Sequence, residues 1–264
     1  MIPFWGDLLH TQCSYIRQVK PVISNRGSND RVAMIIEPRR YPWLEAVIRN
    51  VMYYLGDEWN LEVVTSQENK DWVSSLFPGS NFRISTIPFD NINQTIYNAF
   101  LLHSWFWMRL REEHVLIFQS DCIMFRRGVN AYLQYDFVGA NYFHPQHIAP
   151  QTGGIQGGFS LRRRTTMMEC LQKITWDDIN KYRKAHGMKR LVEPLHEDIF
   201  FTYACEILQK RTLLITERKA FSIEAEYYDR SIAHHGTTKP YFTQEQMETI
   251  ISQCEDHAMW SSSK

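Results

Sequence analysis

The sequence predicts an α/β fold, with a mostly parallel central sheet and helices on both of its faces. Strand-like and helix-like segments alternate along the chain, which is the pattern of a parallel sheet with helical crossovers. The 264 residues, 44% of them hydrophobic, are enough to bury one large core. We therefore expect a single Rossmann-like domain over residues 31–242, preceded by an arm at 1–30 and followed by a C-terminal helix and tail at 243–264.

The first half of the sequence predicts an arm that is followed by strand and helix units. Residues 1–30 have no regular pattern and become polar toward their end, which predicts a loosely attached, irregular arm. Apolar residues recur at helical spacing between Trp43 and Leu55, after a short buried strand and a Pro-containing loop. The predicted strands are Val32–Ile36, Leu61–Thr65 and Phe82–Ile87, and the predicted helices are Trp43–Leu55 and Ile92–Leu110.

The second half begins with the apolar strand at His114, which ends in the polar residues Gln119, Ser120 and Asp121. Gly153–Ser160 is too rich in glycine for the interior of a strand or helix, so we predict a loop there. The other predicted strands are Phe137–Ala140 and Phe159–Arg162, and the predicted helices are Thr165–Gly187, Glu197–Lys210 and Gln244–His257.

Charge and cysteine content exclude several classes of protein. Basic and acidic residues balance at 29 each, so no overall field favours nucleic acid as a partner. The five cysteines have no CxxC spacing, which argues against a zinc knuckle or a disulfide scaffold.

The sequence has no signal-peptide pattern and no apolar run approaching the roughly 20 residues that span a bilayer. We expect no membrane span and a cytoplasmic location.

Seven segments carry a resemblance to a known family. Together they resemble a family of uncharacterised domains that is similar to glycosyltransferases of the GT-A fold, and the resemblance runs from about Val32 to Tyr241. The resemblance implies that the sugar donor is a nucleotide-diphosphate sugar, namely a UDP-sugar. It also implies a Mn²⁺ or Mg²⁺ ion and an acceptor that is a saccharide or another hydroxyl compound. The segments are EPRRYPWLEAVIRNVMYYLGDEW, FQSDCIMFR, YDFVGANYF, GGIQGGFSLRRR, HEDIFF, FSIEAEYY and HHGTTKP.

Asp121 is the predicted metal ligand, because a divalent cation neutralises a departing diphosphate and open α/β sheets present ligands at the carboxyl ends of their strands. GT-A enzymes usually have Asp-x-Asp at the end of this strand, whereas this chain has Gln119 at the first acidic position. Ser120, between Gln119 and Asp121, is expected to lie beside the donor. With one carboxylate, the nucleotide phosphates are expected to supply much of the coordination. An aspartate after a strand also starts turns without binding metal.

The late segment Ala233–Tyr241 resembles the His, Gly, Lys-Pro-Trp signature of several GT-A families. The resemblance implies that a histidine completes the metal shell and that Lys239 meets the diphosphate. Imidazole and lysine suit these roles chemically. The spacing leaves His234 and His235 as alternatives, and a polar surface loop remains possible without any metal.

The acidic pair Glu197 and Asp198 lies where a helix is predicted to begin. The resemblance places such a pair at the acceptor side of inverting GT-A sites, where a carboxylate accepts the proton of the attacking hydroxyl. We favour Asp198 over Glu197 as this base. Acidic residues at a helix start also stabilise the helix dipole with no catalytic role. Whether the enzyme retains or inverts the anomeric configuration stays open.

Arg39 and the glycine-rich segment complete the predicted donor site. Arg39 follows the first strand, where it can stack on a base or reach a phosphate. Gly157 and Gly158 allow a ligand to approach the backbone closely, and we expect them to line the sugar pocket. The run Arg162–Arg164 is expected to be a solvated edge outside the site.

Three hypotheses follow. The first is a metal-dependent glycosyltransferase with Asp121, a late histidine, Lys239 and Asp198 in the roles given above. The second is a sugar nucleotidyltransferase, which ordinarily has a glycine-rich loop after the first strand, and Glu37–Arg39 lacks those glycines. The third is a catalytically inactive saccharide-binding domain, which Gln119 in place of an acidic residue suggests.

Overall fold

The computed structural model describes residues 3–26, 29–142, 148–191, 196–213, 217–223, 227–236 and 243–256. Its strands are β1 Arg31–Ile36, β2 Asn60–Ser66, β3 Arg83–Ile87, β4 His114–Phe118, β5 Cys122–Met124, β6 Phe137–Tyr142, β7 Gly154–Arg163, β8 Phe221–Ile223 and β9 Ala233–His235. Its helices are α1 Pro3–Val19, α2 Leu44–Leu55, α3 Lys70–Ser75, α4 Gln94–Leu101, α5 Ser104–Met108, α6 Arg164–Lys173, α7 Trp176–Ala185, α8 Glu197–Ile207 and α9 Gln244–Ser252.

A mostly parallel sheet forms the centre, with the strand order β3-β2-β1-β4-β7-β6. The pairs β3-β2, β2-β1 and β1-β4 are parallel, and β7 runs antiparallel to both of its neighbours. A smaller sheet of order β5-β9-β8 lies beside it. The predicted Rossmann-like α/β fold with a mostly parallel sheet is therefore confirmed.

Residues of β1 alternate between two hydrophobic clusters, one on each face of the sheet. Ala33 and Ile35 belong to the cluster that α1 and α2 cover. Val32, Met34 and Ile36 belong to the cluster that α5, α6 and α8 cover. Because successive side chains of a strand point to opposite faces, a continuous apolar run is what a strand covered on both faces requires. The predicted helices on both faces of the sheet are confirmed.

Residues 1–30 are not the irregular arm that the sequence predicted. Pro3–Val19 forms α1, and its residues Leu9, Cys13 and Ile16 are buried in the cluster beneath α2. Their spacing of four and three places them on one face of a helix. None of the helices in the described part of the chain has the length and apolar character that crossing a bilayer requires.

Two predicted long helices are each divided in the structure. The segment Ile92–Leu110 contains α4 and α5, because His103 leaves the helical conformation and its Nδ1 accepts a hydrogen bond of 3.2 Å from the Trp105 N–H. The segment Thr165–Gly187 contains α6 and α7, and Thr175 starts the second helix with a capping box.

The glycine-rich segment is a strand and not the loop that the sequence predicted. Gly154–Arg163 forms β7, which pairs with β4 on one side and β6 on the other. Its glycines permit close approach: a Cβ on Gly154 would lie 2.5 Å from the carbonyl oxygen of Tyr142 in β6. The strand therefore brings its glycines to the sheet edge where β4 ends.

Candidate functional site

A cleft of about 560 Å³ opens where β1 and β4 end, a size in the range of small-molecule sites. Chain segments that follow these strands and the first turn of α8 form its walls, as expected for a ligand site in an open α/β sheet. The lining includes most of the residues predicted from the sequence, namely Arg39, Ser120, Asp121, Gly157, Gly158, Glu197, Asp198 and His235.

Asp121 and His235 meet in this cleft although they are far apart in the sequence. Strand β5 pairs antiparallel with β9, and its register sets Cys122 opposite His235. The Nε2 atom of His235 lies 3.3 Å from Asp121 Oδ1 and 2.9 Å from Gln119 Oε1. Burial raises the pKa of Asp121, but His235, a backbone N–H and His234 together bring it below its ordinary value, so the carboxylate is ionised.

The strand register separates the two histidines that the sequence left as alternatives. His234 precedes His235 in β9, is 1% exposed, and does not line the cleft. Burial lowers the pKa of His234 to about 3, so its imidazole is neutral. Of the two candidate metal ligands, His235 is therefore the one that lines the cleft beside Asp121, and His234 is a buried side chain next to it.

Asp121, Cys122 and His235 offer ligand atoms within 4.8 Å of one another. The Cys122 thiol donates to the Gly158 carbonyl at 3.1 Å, and burial raises its pKa well above the ordinary value, so it is protonated. A carboxylate, an imidazole and the amide oxygen of Gln119 are ligands that Mn²⁺ and Mg²⁺ accept. The donor set therefore fits a hard divalent cation.

Glu197 is held in a buried ion pair with Arg162. The Nη1 and Nη2 atoms of Arg162 lie 2.5 and 2.9 Å from the two carboxylate oxygens of Glu197, and both side chains are almost wholly buried. A bidentate pair of this kind occupies both carboxylate oxygens. The carboxylate of Glu197 is thus occupied by Arg162. The neighbouring Asp198 is not paired with a guanidinium in this way, and its carboxyl group is the better candidate for proton transfer.

Asp198 faces the cleft from the first turn of α8. Its Oδ2 accepts a hydrogen bond of 3.1 Å from the Gly157 N–H, and its Oδ1 accepts one of 2.8 Å from the Ile199 N–H. Burial, followed by the negative charge of Glu197, raises the pKa of Asp198 to about 7, and Arg162 opposes this only partly. A carboxyl group with a pKa near neutrality can both take and release a proton.

Arg162 is a site residue that the sequence reasoning missed. It is fully buried, and its guanidinium lies 4.9 Å from the ring centre of Phe137 and 5.6 Å from that of Phe201. The signal was its position in β7, because alternation puts it on the face of Ser160 and not at the solvated edge that we expected. Its Nε donates to Ser160 Oγ at 2.9 Å.

Residues of α4 that the sequence did not indicate also line the cleft, among them Asn98 and Tyr97. Asn98 accepts a hydrogen bond of 3.3 Å from the Glu197 N–H, which fixes the start of α8. Tyr97 is a neighbour of Gln119, and burial raises the pKa of its hydroxyl. An amphipathic helix gives no sequence signal that separates a cleft-facing tyrosine from a core one.

Arg39 lies at the rim of the cleft, where Glu37 holds its guanidinium. Its Nε and Nη2 lie 2.7 Å from the two carboxylate oxygens of Glu37, and its side chain remains 54% exposed. Arg39 therefore lines the cleft, although its charge already has a partner. Ser120 also lines the cleft. Lys239 lies outside the described residues.

Gly157 and Gly158 leave room for the side chains of the site. A Cβ on Gly157 would lie 2.5 Å from Glu197 Oε1, and one on Gly158 would lie 2.4 Å from His235 Nε2. Both distances are far below van der Waals contact. The two glycines are therefore needed for the positions of Glu197 and His235, besides forming part of the cleft wall.

We expect Gly158→Ala to displace the imidazole of His235 while the fold is kept, because the atoms that the new methyl group meets belong to a side chain. The measurement is the shift of the His235 ring signals in a two-dimensional NMR spectrum. Asp177→Ala is the control, because that side chain is 78% exposed at the start of α7. Unchanged His235 signals in Gly158→Ala would contradict the close approach.

Comparison of the sequence with models of known protein families finds a match to one family. The family model described as "Protein of unknown function (DUF5672)" matches residues 81–240, which is more than half of the chain. A search of curated proteins finds no match. The matched range contains Asp121, Glu197, Asp198 and His235, whereas Arg39 precedes it. The chain belongs to the DUF5672 family of proteins of unknown function.

Proposed function

We propose that the protein is a metal-dependent glycosyltransferase of the GT-A type. It would move a sugar from a UDP-linked donor to a hydroxyl group of a saccharide or other glycan acceptor. The observation that best supports this proposal is the meeting of Asp121 with His235, 3.3 Å apart, in the same cleft as Asp198. A cation site and a proton acceptor in one cleft are what transfer from a nucleotide-diphosphate sugar requires.

Asp121 and His235 would hold Mn²⁺ or Mg²⁺, with Gln119 as a further oxygen ligand. When bound, the ion neutralises the charge that develops on the departing diphosphate. Ser120 lies next to Asp121 at the same turn and would contact the donor. The role of Lys239 at the diphosphate remains a prediction from the sequence.

Asp198 would act on the acceptor. Its carboxylate takes the proton of the acceptor hydroxyl as that oxygen bonds to the anomeric carbon and the bond to the diphosphate breaks. Glu197 does not compete for this role, because both of its oxygens bind Arg162. Gly157, whose N–H holds Asp198, and Gly158 would allow the sugar to lie close to the strand.

Arg39 would lie against the nucleotide. Its guanidinium is held flat by the bidentate contact with Glu37 at the rim of the cleft, directly after β1. A planar, partly exposed guanidinium can stack on a base. We also propose a cytoplasmic setting for the reaction, since all five cysteines are buried and free.

The test is incubation of the protein with Mn²⁺ and a panel of sugar nucleotides. Release of nucleoside diphosphate supports the glycosyltransferase. Production of pyrophosphate or sugar phosphate from the panel would indicate a sugar nucleotidyltransferase. Saturable binding of saccharides with no release of nucleotide would indicate a binding domain that has lost activity.

We expect Asp121→Ala and His235→Ala each to weaken Mn²⁺-dependent binding of UDP by about 100-fold or more, since outer-shell changes alone cost about 10–100-fold. Isothermal titration of UDP with and without Mn²⁺ measures this effect. Asp177→Ala is the matched control, because that carboxylate lies on the exposed start of α7. Unchanged Mn²⁺-dependent affinity in the first two variants would remove these residues from the metal site.

A further inference from the structure

A second cavity of about 610 Å³ lies beside the edge strand β3, on the face of the sheet that α5 covers. It shares no lining residue with the first cleft. The end of α4 separates the two, since Asn98 lines the first cavity and Phe100 lines the second. Its size is in the range of small-molecule sites.

The floor of this second cavity is a fixed arrangement of charges. Glu62 of β2 is fully buried, accepts a hydrogen bond of 2.7 Å from Ser85 Oγ, and binds the guanidinium groups of Arg83 and Arg109. Arg83 also makes a bidentate contact of 2.7 and 2.9 Å with Glu112. Both arginines are therefore held in place before any ligand arrives.

One wall is an exposed indole. Trp105 is 58% exposed at the mouth of the cavity, whereas Trp107, two residues later, is fully buried. The guanidinium of Arg109 lies 5.9 Å from the Trp105 ring centre and 5.1 Å from that of Phe106. An indole at a cavity mouth offers a large flat apolar face that a ligand can cover.

The cavity has one positive charge in excess. Arg83, Arg109 and Arg111 line it, and the carboxylates that pair with them are Glu62 and Glu112. The guanidinium of Arg111 is exposed and makes no ion pair with any residue in the described part of the chain. Because a guanidinium only donates hydrogen bonds, the group that binds it must be an acceptor, and a carboxylate or phosphate fits best.

We propose that this cavity is a second ligand site, which binds a sugar ring that carries one anionic group. The C–H face of the ring lies on Trp105, and the carboxylate or phosphate binds Arg111 beside Arg83. The site is separate from the first cleft, and its occupation does not depend on whether the first cleft transfers sugar.

The test is an NMR titration of the full chain with D-glucuronate and with D-glucose 1-phosphate, which carry the two anionic groups, and with D-glucose as the neutral probe. We expect saturable shifts of the Trp105 indole N–H and the amides of residues 105–111 with at least one anionic sugar, and binding at least about tenfold weaker for D-glucose. Which of the two anions binds more tightly identifies the group that the site takes.

Trp105→Ala and Arg111→Gln are each expected to weaken that binding by about tenfold or more. Met108→Ala is the control, because Met108 is 63% exposed on the same short helix and does not line the cavity. Absence of saturable binding of both anions, equal binding of D-glucose, or unchanged affinity in both variants would overturn the proposal. Mn²⁺-dependent UDP binding should be the same in all three variants, which separates this site from the first cleft.

Discussion

Asp198→Asn is expected to lower kcat by at least about 100-fold, and toward 10⁴-fold, while donor binding is kept. The amide cannot take a proton from the acceptor hydroxyl, yet it has nearly the same shape as the carboxyl group. Asp198 contacts the N–H groups of Gly157 and Ile199 and is not among the group that could hold a metal. Steady-state kinetics with the donor and acceptor identified by the nucleotide-sugar panel measure the change.

The pH dependence of the wild-type protein provides an independent check on the same residue. Burial and Glu197 raise the pKa of Asp198 to about 7, and the base works only in its unprotonated form. We therefore expect kcat/KM to rise as the pH increases toward about 7 and to level off above it, and we expect Asp198→Asn to lose this rise. Near-normal turnover in Asp198→Asn would return Asp198 to a helix-capping role. Asp177→Asn, at the exposed start of another helix, is the control.

The central sheet could be predicted because its strands are continuous apolar runs. Val32–Ile36 and His114–Phe118 have such runs, and both are covered on two faces. Helix α1 was missed because the apolar residues that the structure shows in the core, Leu9, Cys13 and Ile16, are spaced within an otherwise mixed segment. The second half of β7 was predicted as Phe159–Arg162, whereas its first half was missed because glycines are unfavourable in an isolated strand. The conformation of β7 depends on pairing with β4 and β6 and on packing against the side chains of the site. These are tertiary contacts, which the local sequence does not contain.

The site was predictable where local chain position determines it. Asp121 was indicated by the end of a strand and Asp198 by the start of a helix, and both line the cleft. The choice of His235 over His234 depends on the register of β9 against β5, which no local pattern contains. Arg162 was assigned to the surface because arginine is rarely buried without a partner, and its partner Glu197 is 35 residues away in the sequence.

Arg162→Met is expected to lower the free energy of unfolding by about 3–5 kcal/mol, because it leaves the carboxylate of Glu197 buried without its partner. Arg162 is fully buried and holds both oxygens of Glu197. Urea unfolding followed by circular dichroism measures the change. Arg190→Met is the control, since Arg190 is 77% exposed in a pair with Asp177, and such pairs contribute about 1 kcal/mol or less.

Adding Glu197→Gln to Arg162→Met is expected to restore part of the lost stability, because the unpaired charge is then removed. A loss no larger than that of Arg190→Met would show that the pair contributes little. The same pair also acts on the proposed base: Glu197 raises the pKa of Asp198 and Arg162 lowers it. In folded Arg162→Met the positive charge is gone and the negative one remains. The rise of kcat/KM with pH should therefore move to higher pH, an effect that a loss of packing alone does not produce.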